Sequence, residues 1–274
     1  MKKNWLLIRM LNYIARKERE RRQQALFSSQ EYLQPLRKAV AAIADANPTD
    51  TIFVIGNGPS LNHQNLDLLA GKFTIASNAF HLIYDRIDWR PTIFTIEDDL
   101  IVDDNKEFFN QDKESWKFVP FDMREKISNG DKTVYINFLR SYLHWSRKDW
   151  PFFSGDVTAR SYWGGTVSYL SLQIAATFKP KRIVLLGTDL SYKIPDSVKR
   201  DGINLLSTAD DVNHFSPHYF GAGKKWHIPE VHRMQQSFDF AHMQLARLGI
   251  DLLNATHGGN LKKIPRISYD ELFL

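Results

Sequence analysis

The chain has 274 residues, of which 43% are hydrophobic, so it is long enough to bury a full core in one large domain. It contains no cysteine, which excludes disulfides, thiolate metal sites and a cysteine nucleophile. The net charge of +5 is concentrated in residues 1–40, where ten Lys/Arg and three Glu leave the rest of the chain with a net charge of −2.

This distribution of charge bears on the partners and the location. The body of the chain lacks a basic motif, so we expect no nucleic acid partner. No apolar run reaches about 18 residues, and the apolar start is interrupted by Arg9, so neither a spanning helix nor a signal peptide is expected. We therefore expect a cytoplasmic protein, and leave open peripheral attachment to the inner face of the membrane.

Residues 1–48 are predicted to form a basic helical arm, in which residues 4–44 are helical. The apolar residues near its start have the i, i+3, i+4, i+7 spacing of one helix face: Leu7, Met10, Leu11 and Ile14. A basic amphipathic helix such as residues 1–40 can lie on an anionic membrane surface, and we leave this role open. The same pattern fits a helix that packs on the body or on a second subunit of a homo-oligomer.

Residues 49–274 are predicted to form a catalytic domain in which short apolar strands alternate with helices. The predicted strands are 51–55, 73–77, 92–96, 117–119, 133–137, 182–186 and 250–254. The predicted helices are 61–69, 79–85, 101–110, 166–178 and 229–248. This alternation indicates an α/β, Rossmann-like, mostly parallel sheet with helices on both faces. Residues 193–228 show little periodicity and are predicted to form a long lid loop.

The stretch TIFVIGNGPSLN, from Thr51 to Asn62, is a buried strand that runs through a glycine turn into a helix start. Such a turn can present unpaired backbone N–H groups to an anion. We therefore predict that its turn residues bind a nucleotide: Gly56, Asn57, Gly58 and Ser60. The motif is neither GxGxxG nor GxxxxGK[ST], and an ordinary strand-to-helix turn is the alternative.

Other polar residues follow predicted strands, where ligands of parallel sheets bind. The candidates for the donor nucleotide are Asn78, Glu97, Asp98 and Asp189, together with Gly165, Thr166 and Ser168 at the start of an apolar helix. The carboxylates of Glu97 and Asp98 fit three roles that the sequence leaves open. They can hold Mg²⁺, bind sugar or ribose hydroxyls, or cap the helix at 101–110.

Two histidines of the predicted lid, His214 and His218, are candidates for a general base because the histidine pKa lies near neutral pH. Pro217 lies between them and the chain has no HExxH motif, which disfavours a zinc site. His214 is close in sequence to Asp210 and Asp211, which can orient or charge it. We favour His214.

The motifs together resemble known families over about residues 50–260. IGNGPSL, SN at 77–78, the Gly-Gly-Thr helix start, LLGTDLSY and a His-aromatic loop resemble the bacterial family-42 sialyltransferases. The stretches IEDDLIVDDN, GGTVSYLSLQIA and NHF–HYFG–KKWH are similar to a related group, the MptE-like domain. That group includes archaeal 6-hydroxymethyl-dihydropterin pyrophosphokinases and domains of flagellin-glycosylation and surface-polysaccharide proteins.

The sialyltransferase resemblance implies a metal-independent, inverting sugar transfer from a nucleotide-sugar donor, with a CMP-sugar favoured. The acceptor would be a surface glycan or a lipid-linked glycan. By motif, Asn57 and Asn78 would contact the nucleotide, and Thr166 or Ser168 would hold the donor. Tyr192 would bind the leaving phosphate, and a loop histidine would deprotonate the acceptor hydroxyl.

Two further hypotheses remain open on the sequence. One is a diphosphotransferase of the 6-hydroxymethylpterin pyrophosphokinase type, which would use ATP and a Mg²⁺ ion held by Glu97 and Asp98. The other is a nucleotide-binding scaffold without enzymatic activity.

Overall fold

The computed structural model describes residues 2–140, 151–201 and 204–274. The helices are α1 (Lys2–Phe27), α2 (Gln30–Ala46), α3 (Asp99–Gln111), α4 (Val167–Thr177) and α5 (Val231–Arg247). The strands are β1 (Thr51–Ile55), β2 (Thr74–Ser77), β3 (Ile93–Thr95), β4 (Trp116–Pro120), β5 (Thr133–Ile136), β6 (Phe138–Leu139), β7 (Ser161–Tyr162), β8 (Arg182–Leu186), β9 (Lys199–Asp201), β10 (Asn204–Leu206), β11 (Lys225–His227) and β12 (Asp251–Asn254).

Seven strands form one parallel sheet in the order β12-β8-β1-β2-β3-β4-β5. All seven predicted strands are present in it, which confirms the Rossmann-like α/β fold. Their apolar side chains are almost all buried, as expected of a parallel sheet that is covered on both faces. Because parallel crossovers are right-handed, α3 lies on one face of the sheet, and α4 and α5 lie on the other.

The strand order reverses at β1. The chain leaves β1 towards β2 on one side and later returns to β8 on the other. In open parallel sheets, the loops that follow two such strands diverge, and ligands bind in the crevice between them. The fold therefore places the principal binding crevice next to the turn after β1 and the loop after β8.

The predicted N-terminal helix is two helices. The first ends where Ser28 turns its hydroxyl back to the Gln24 carbonyl, at 2.7 Å, which competes with continuation of the helix. No helix in the described ranges is long and apolar enough to cross a bilayer.

The second helix, α2, belongs to the main core. Leu36, Ala39 and Ile43 are buried in the same apolar cluster as the sheet. Tyr32 packs edge-on against Phe121, with ring centroids 4.7 Å apart. The division of the chain at residue 48 remains a prediction, but α2 shares its core with the sheet.

Three other predicted elements differ from the structure. The segments at 61–69 and 79–85 form short 3₁₀ turns at Pro59–His63, Leu66–Leu69 and Phe80–Ile83 in place of α-helices. Both predicted segments are shorter than the roughly 12–15 residues that an isolated α-helix needs to be stable. The predicted lid contains a three-stranded antiparallel sheet, β9 to β11, that buries Leu205 and Trp226. Strands of three residues are too short for periodicity to reveal. Residues 202 and 203 of the predicted lid lie outside the described residues.

We expect Leu36→Ala in α2 to lower the free energy of unfolding by about 2–5 kcal/mol, because Leu36 is fully buried and its truncation leaves a cavity. Lys38→Ala, on the exposed side of the same helix, should change it by less than about 0.5 kcal/mol. Urea unfolding of both variants measures the difference. Equal midpoints would contradict the place of α2 in the core.

Candidate functional site

A cleft of about 690 Å³ lies beyond the carboxyl ends of β1, β2, β3 and β8, where the strand order reverses. It brings together most of the residues that the sequence analysis selected: Gly56, Asn57, Gly58, Asn78, Glu97, Asp98, Gly165, Thr166, Ser168, Asp189, Tyr192 and His214. Two selected residues do not line it. Ser60 is buried away from the cleft, and His218 is exposed to solvent on the segment between β10 and β11.

The turn after β1 is locked against the loop after β8. The amides of Gly56 and Gly58 donate to the carbonyls of Leu186 and Gly187, both at 2.8 Å. A Cβ atom on Gly58 would lie only 1.8 Å from a carboxylate oxygen of Asp189, so a glycine is required for the two loops to approach.

Asp189 adds two further hydrogen bonds between the loop after β8 and the turn after β1. Its Oδ2 accepts from the Ser60 hydroxyl at 2.7 Å, and its Oδ1 accepts from the Ser60 amide at 3.3 Å. Burial raises the pKa of Asp189, and the bonds from Ser60 oppose that shift. The amides of Gly56, Gly58 and Ser60 are thus occupied and are not free to bind an anion. Asn57 is the residue of this turn that we expect to contact a ligand.

Three buried side chains present polar atoms that have no hydrogen-bond partner: Asn57 Oδ1, Asn78 Oδ1 and Glu97 Oε2. Asn57 uses its amide nitrogen to donate to Ser77 Oγ at 3.3 Å. Asn78 has a left-handed φ of 57°, a conformation that asparagine tolerates better than most residues. Unpaired buried polar atoms are costly, so this wall is suited to a polar ligand that supplies their partners.

Glu97 is only 6% exposed. Burial raises the pKa of its carboxyl group to about 8; Arg140 opposes this shift, and the negative charges of Asp98 and Asp122 add to it. Glu97 is therefore mainly protonated at neutral pH and can donate a hydrogen bond as a neutral acid.

Asp98 caps α3, which is one of the three roles that the sequence left open for this carboxylate. Its Oδ1 accepts from the amides of Leu100 at 2.8 Å and Ile101 at 3.4 Å, and its Oδ2 lies 3.6 Å from His227 Nε2. Asp98 Oδ1 is thus used by the start of α3, whereas binding of Mg²⁺ by Glu97 and Asp98 remains a prediction. Within the described ranges, no three His, Asp or Glu side chains cluster as metal ligands.

The start of α4 gives the cleft a feature that is suited to an anion. Thr166 occupies the N-cap position but makes no capping bond with its side chain. Gly165, Thr166 and Ser168 all line the cleft. The amides of an uncapped first turn and the helix dipole favour a negatively charged group such as a phosphate.

His214 is held by a carboxylate and an aromatic ring. Its Nδ1 lies 2.7 Å from Asp211 Oδ2, and its ring stacks on Tyr219 with centroids 3.8 Å apart. The expected orientation of His214 by an acidic neighbour is thus confirmed for Asp211. Because Nδ1 faces the carboxylate, Nε2 is the nitrogen left for proton transfer.

Asp211 is itself fixed in place. It accepts from the backbone amides of Asn213 at 2.7 Å and Phe220 at 3.0 Å. Burial alone would raise the pKa of Asp211, but the hydrogen bond and charge of His214 and these amides bring it below its usual value. An ionised Asp211 stabilises the imidazolium that forms when His214 accepts a proton.

Tyr192 lies in the same cleft, with its ring centroid 6.5 Å from that of His214. Burial raises the pKa of its phenol to about 12, and the negative charges of Asp189 and Asp211 add to the shift. The phenol therefore stays protonated at neutral pH and can donate a hydrogen bond to a developing negative charge.

Several cleft residues do not follow a predicted strand, and sequence reasoning missed them: Arg140, Trp163, Trp226, His227 and Arg233. Arg140 forms an ion pair with Asp122 at 2.5 Å and follows the two-residue strand β6. Arg233 pairs with Glu230 at 2.8 Å in the first turn of α5. The KKWH stretch quoted for the family resemblance was a usable signal for Trp226 and His227.

Comparison with known families identifies one match. A family model described as "6-hydroxymethylpterin diphosphokinase MptE-like" matches residues 28–195, more than half of the chain. The match begins near α2 and ends shortly after Tyr192, so it is displaced from the expected range of about 50–260. No curated protein and no solved structure matches the chain significantly.

The raised pKa of Glu97 predicts a pH-dependent stability. The folded protein holds this proton up to about pH 8, whereas an unfolded glutamate releases it near 4.5. Stability should therefore fall as the pH rises through this range, with a slope of at most about 1.4 kcal/mol per pH unit. Melting temperatures between pH 5 and 9 measure it. Glu97→Gln should flatten the profile, and Glu107→Gln, on the exposed side of α3, should leave it unchanged. An unchanged slope in Glu97→Gln would contradict the assignment.

Proposed function

The chain belongs to the MptE-like family, whose description is that of a transferase, and from this premise we propose that it transfers a group from a nucleotide-activated donor to a hydroxyl acceptor. The group that the cleft supports best is a sugar, with a CMP-sugar as the first candidate donor and a surface glycan as the acceptor. The observation that carries the proposal is His214, which Asp211 holds at 2.7 Å within a cleft that also contains the uncapped start of α4.

The reaction needs a base for the acceptor hydroxyl and groups that stabilise the leaving phosphate, and the cleft offers both. His214 Nε2 removes the proton of the acceptor hydroxyl while the oxygen attacks the anomeric carbon. The bond between that carbon and the phosphate oxygen breaks, and the nucleotide leaves with the electron pair. The start of α4 and the Tyr192 phenol stabilise the negative charge that grows on the phosphate. Attack opposite the leaving group inverts the anomeric centre.

The family description supports a second candidate, the Mg²⁺-dependent transfer of diphosphate from ATP to a pterin alcohol. Such a transfer normally needs a metal to bridge the phosphates. Glu97 and Asp98 would hold that metal, and Asp98 Oδ1 already accepts from the amide of Leu100 at 2.8 Å. We rank sugar transfer first because of the paired His214 and Asp211. The polar wall of Asn57, Asn78 and Glu97 suits the base of either nucleotide.

A donor screen tests the proposal. Thermal shifts with CMP, UDP, GDP and ATP, each with and without Mg²⁺, identify the nucleotide. Release of CMP from a CMP-sugar in the presence of a glycan acceptor, without Mg²⁺, would support sugar transfer. Release of AMP from ATP with 6-hydroxymethylpterin, only in the presence of Mg²⁺, would support diphosphate transfer in place of sugar transfer. Nucleotide binding with neither product would favour the scaffold.

We expect His214→Ala to lower kcat by about 10²–10⁴-fold and to leave the donor Kd unchanged, because it removes the base and no donor contact. Asp211→Asn should lower kcat by less, since it leaves the imidazole in place. His218→Ala should be mild, because this side chain is exposed outside the cleft. Single-turnover rates and donor titrations measure the two effects. A severe loss in His218→Ala would move the base to that residue.

We expect Tyr192→Phe to lower kcat more than it weakens donor binding, because a hydrogen bond to the leaving phosphate strengthens as negative charge develops there. The change removes only the hydroxyl and keeps the ring. Equal losses in kcat and in donor affinity would count against this role. Weaker donor binding with kcat unchanged would mean that Tyr192 contacts the donor equally in the ground state and the transition state, and no loss in either would remove it from the mechanism.

A further inference from the structure

The first half of α1 carries large apolar side chains that nothing in the described chain covers. Each is at least 50% exposed: Leu7, Ile8, Met10, Leu11 and Ile14. The helix has 26 residues, or roughly 39 Å at 1.5 Å per residue. Its contacts with the body lie at the other end, where Gln23 donates to Asn137 Oδ1 at 3.0 Å and Phe27 is buried. A concentrated apolar surface of this kind marks a binding site.

The same helix carries the excess positive charge of the protein. It contains eight Lys/Arg and two Glu, a net charge of +6. The whole chain has a net charge of +5, so the rest of it sums to −1. An anionic partner is therefore attracted to α1 and not to the body.

The apolar and basic residues of α1 form one continuous stripe. Met10, Ile14, Lys17 and Arg21 follow one another at intervals of four, three and four residues, which places them on the same side of the helix. Lys17, Arg21 and Arg160 line a groove of about 530 Å³ between α1 and the ribbon formed by β6 and β7. Lys17 also pairs with Glu20 at 2.8 Å, and the groove keeps its basic character through the two arginines.

We infer that α1 docks the protein on an anionic phospholipid bilayer. Residues 7–14 enter the boundary between headgroups and acyl chains, and Lys17, Arg21 and Arg160 meet headgroup phosphates. A second copy of the chain fits this surface less well than an anionic bilayer does. Pairing two α1 helices would bring together two segments that each carry a net charge of +6.

The ribbon formed by β6 and β7 separates the groove from the cleft. Leu139 and Tyr162, the last residues of the two strands, line the groove, and Arg140 and Trp163, which follow them, line the cleft. A bilayer at α1 therefore lies beside the cleft. The inference stands on exposure and charge and does not depend on which reaction the cleft performs.

Co-sedimentation of the full chain with vesicles tests it. We expect binding to vesicles that contain phosphatidylglycerol, weak binding to phosphatidylcholine alone, and a loss of binding as salt is raised. Leu11→Glu should lower the partition coefficient by about tenfold or more, because it places a charge among apolar residues at the interface. Met243→Glu, at an exposed apolar position on α5, is the matched control and should bind like the parent chain.

Both positions are exposed, so neither variant should disturb folding, and circular dichroism checks this. Equal binding to both kinds of vesicle, or equal losses in the two variants, would overturn the inference. A different result would also overturn it: the parent chain does not bind vesicles, and sedimentation velocity shows a dimer that Leu11→Glu dissociates. In that case α1 would be an interface between copies of the chain.

Discussion

The close contact between the turn after β1 and the loop after β8 is the constraint on which the site depends. Where the strand order of a parallel sheet reverses, the connections that follow the two strands diverge and leave a crevice. Here backbone bonds from Gly56 and Gly58 join the turn after β1 to β8 and to the loop that follows it. The glycines permit this contact because a side chain on Gly58 would collide with Asp189. Their use in packing explains why a glycine-rich turn between a strand and a helical turn has the amides of Gly56 and Gly58 occupied.

Because three amides of this turn are occupied, the start of α4 is the better candidate for binding a phosphate. The helix is almost entirely buried, and its uncapped first turn lines the cleft. The cleft also contains unpaired atoms of Asn57, Asn78 and Glu97. Such groups lower the stability of the folded chain, and they are expected where the protein must meet a ligand.

The fold could be predicted from the sequence because apolar, β-branched runs bounded by polar residues determine buried parallel strands. The rule that ligands bind at the carboxyl ends of these strands then selected Asn57, Asn78 and Glu97 correctly as cleft residues. Contacts between distant segments could not be predicted. The bond between Ser60 and Asp189 joins residues 129 positions apart, and Arg140 enters the cleft from a strand of two residues. The protonation of Glu97 depends on burial, which a single sequence does not give.

The cleft is lined partly by residues of the segment that the family model matches and partly by residues that follow it. The family match ends at residue 195, so it contains the turn after β1, the start of α4 and Tyr192. The segment that follows contributes Asp211 and His214, and α5 contributes Arg233. The proposed donor contacts therefore lie mainly in the matched segment, whereas the proposed base and its carboxylate partner lie beyond it. The family match does not cover the two residues on which the proposed proton transfer depends.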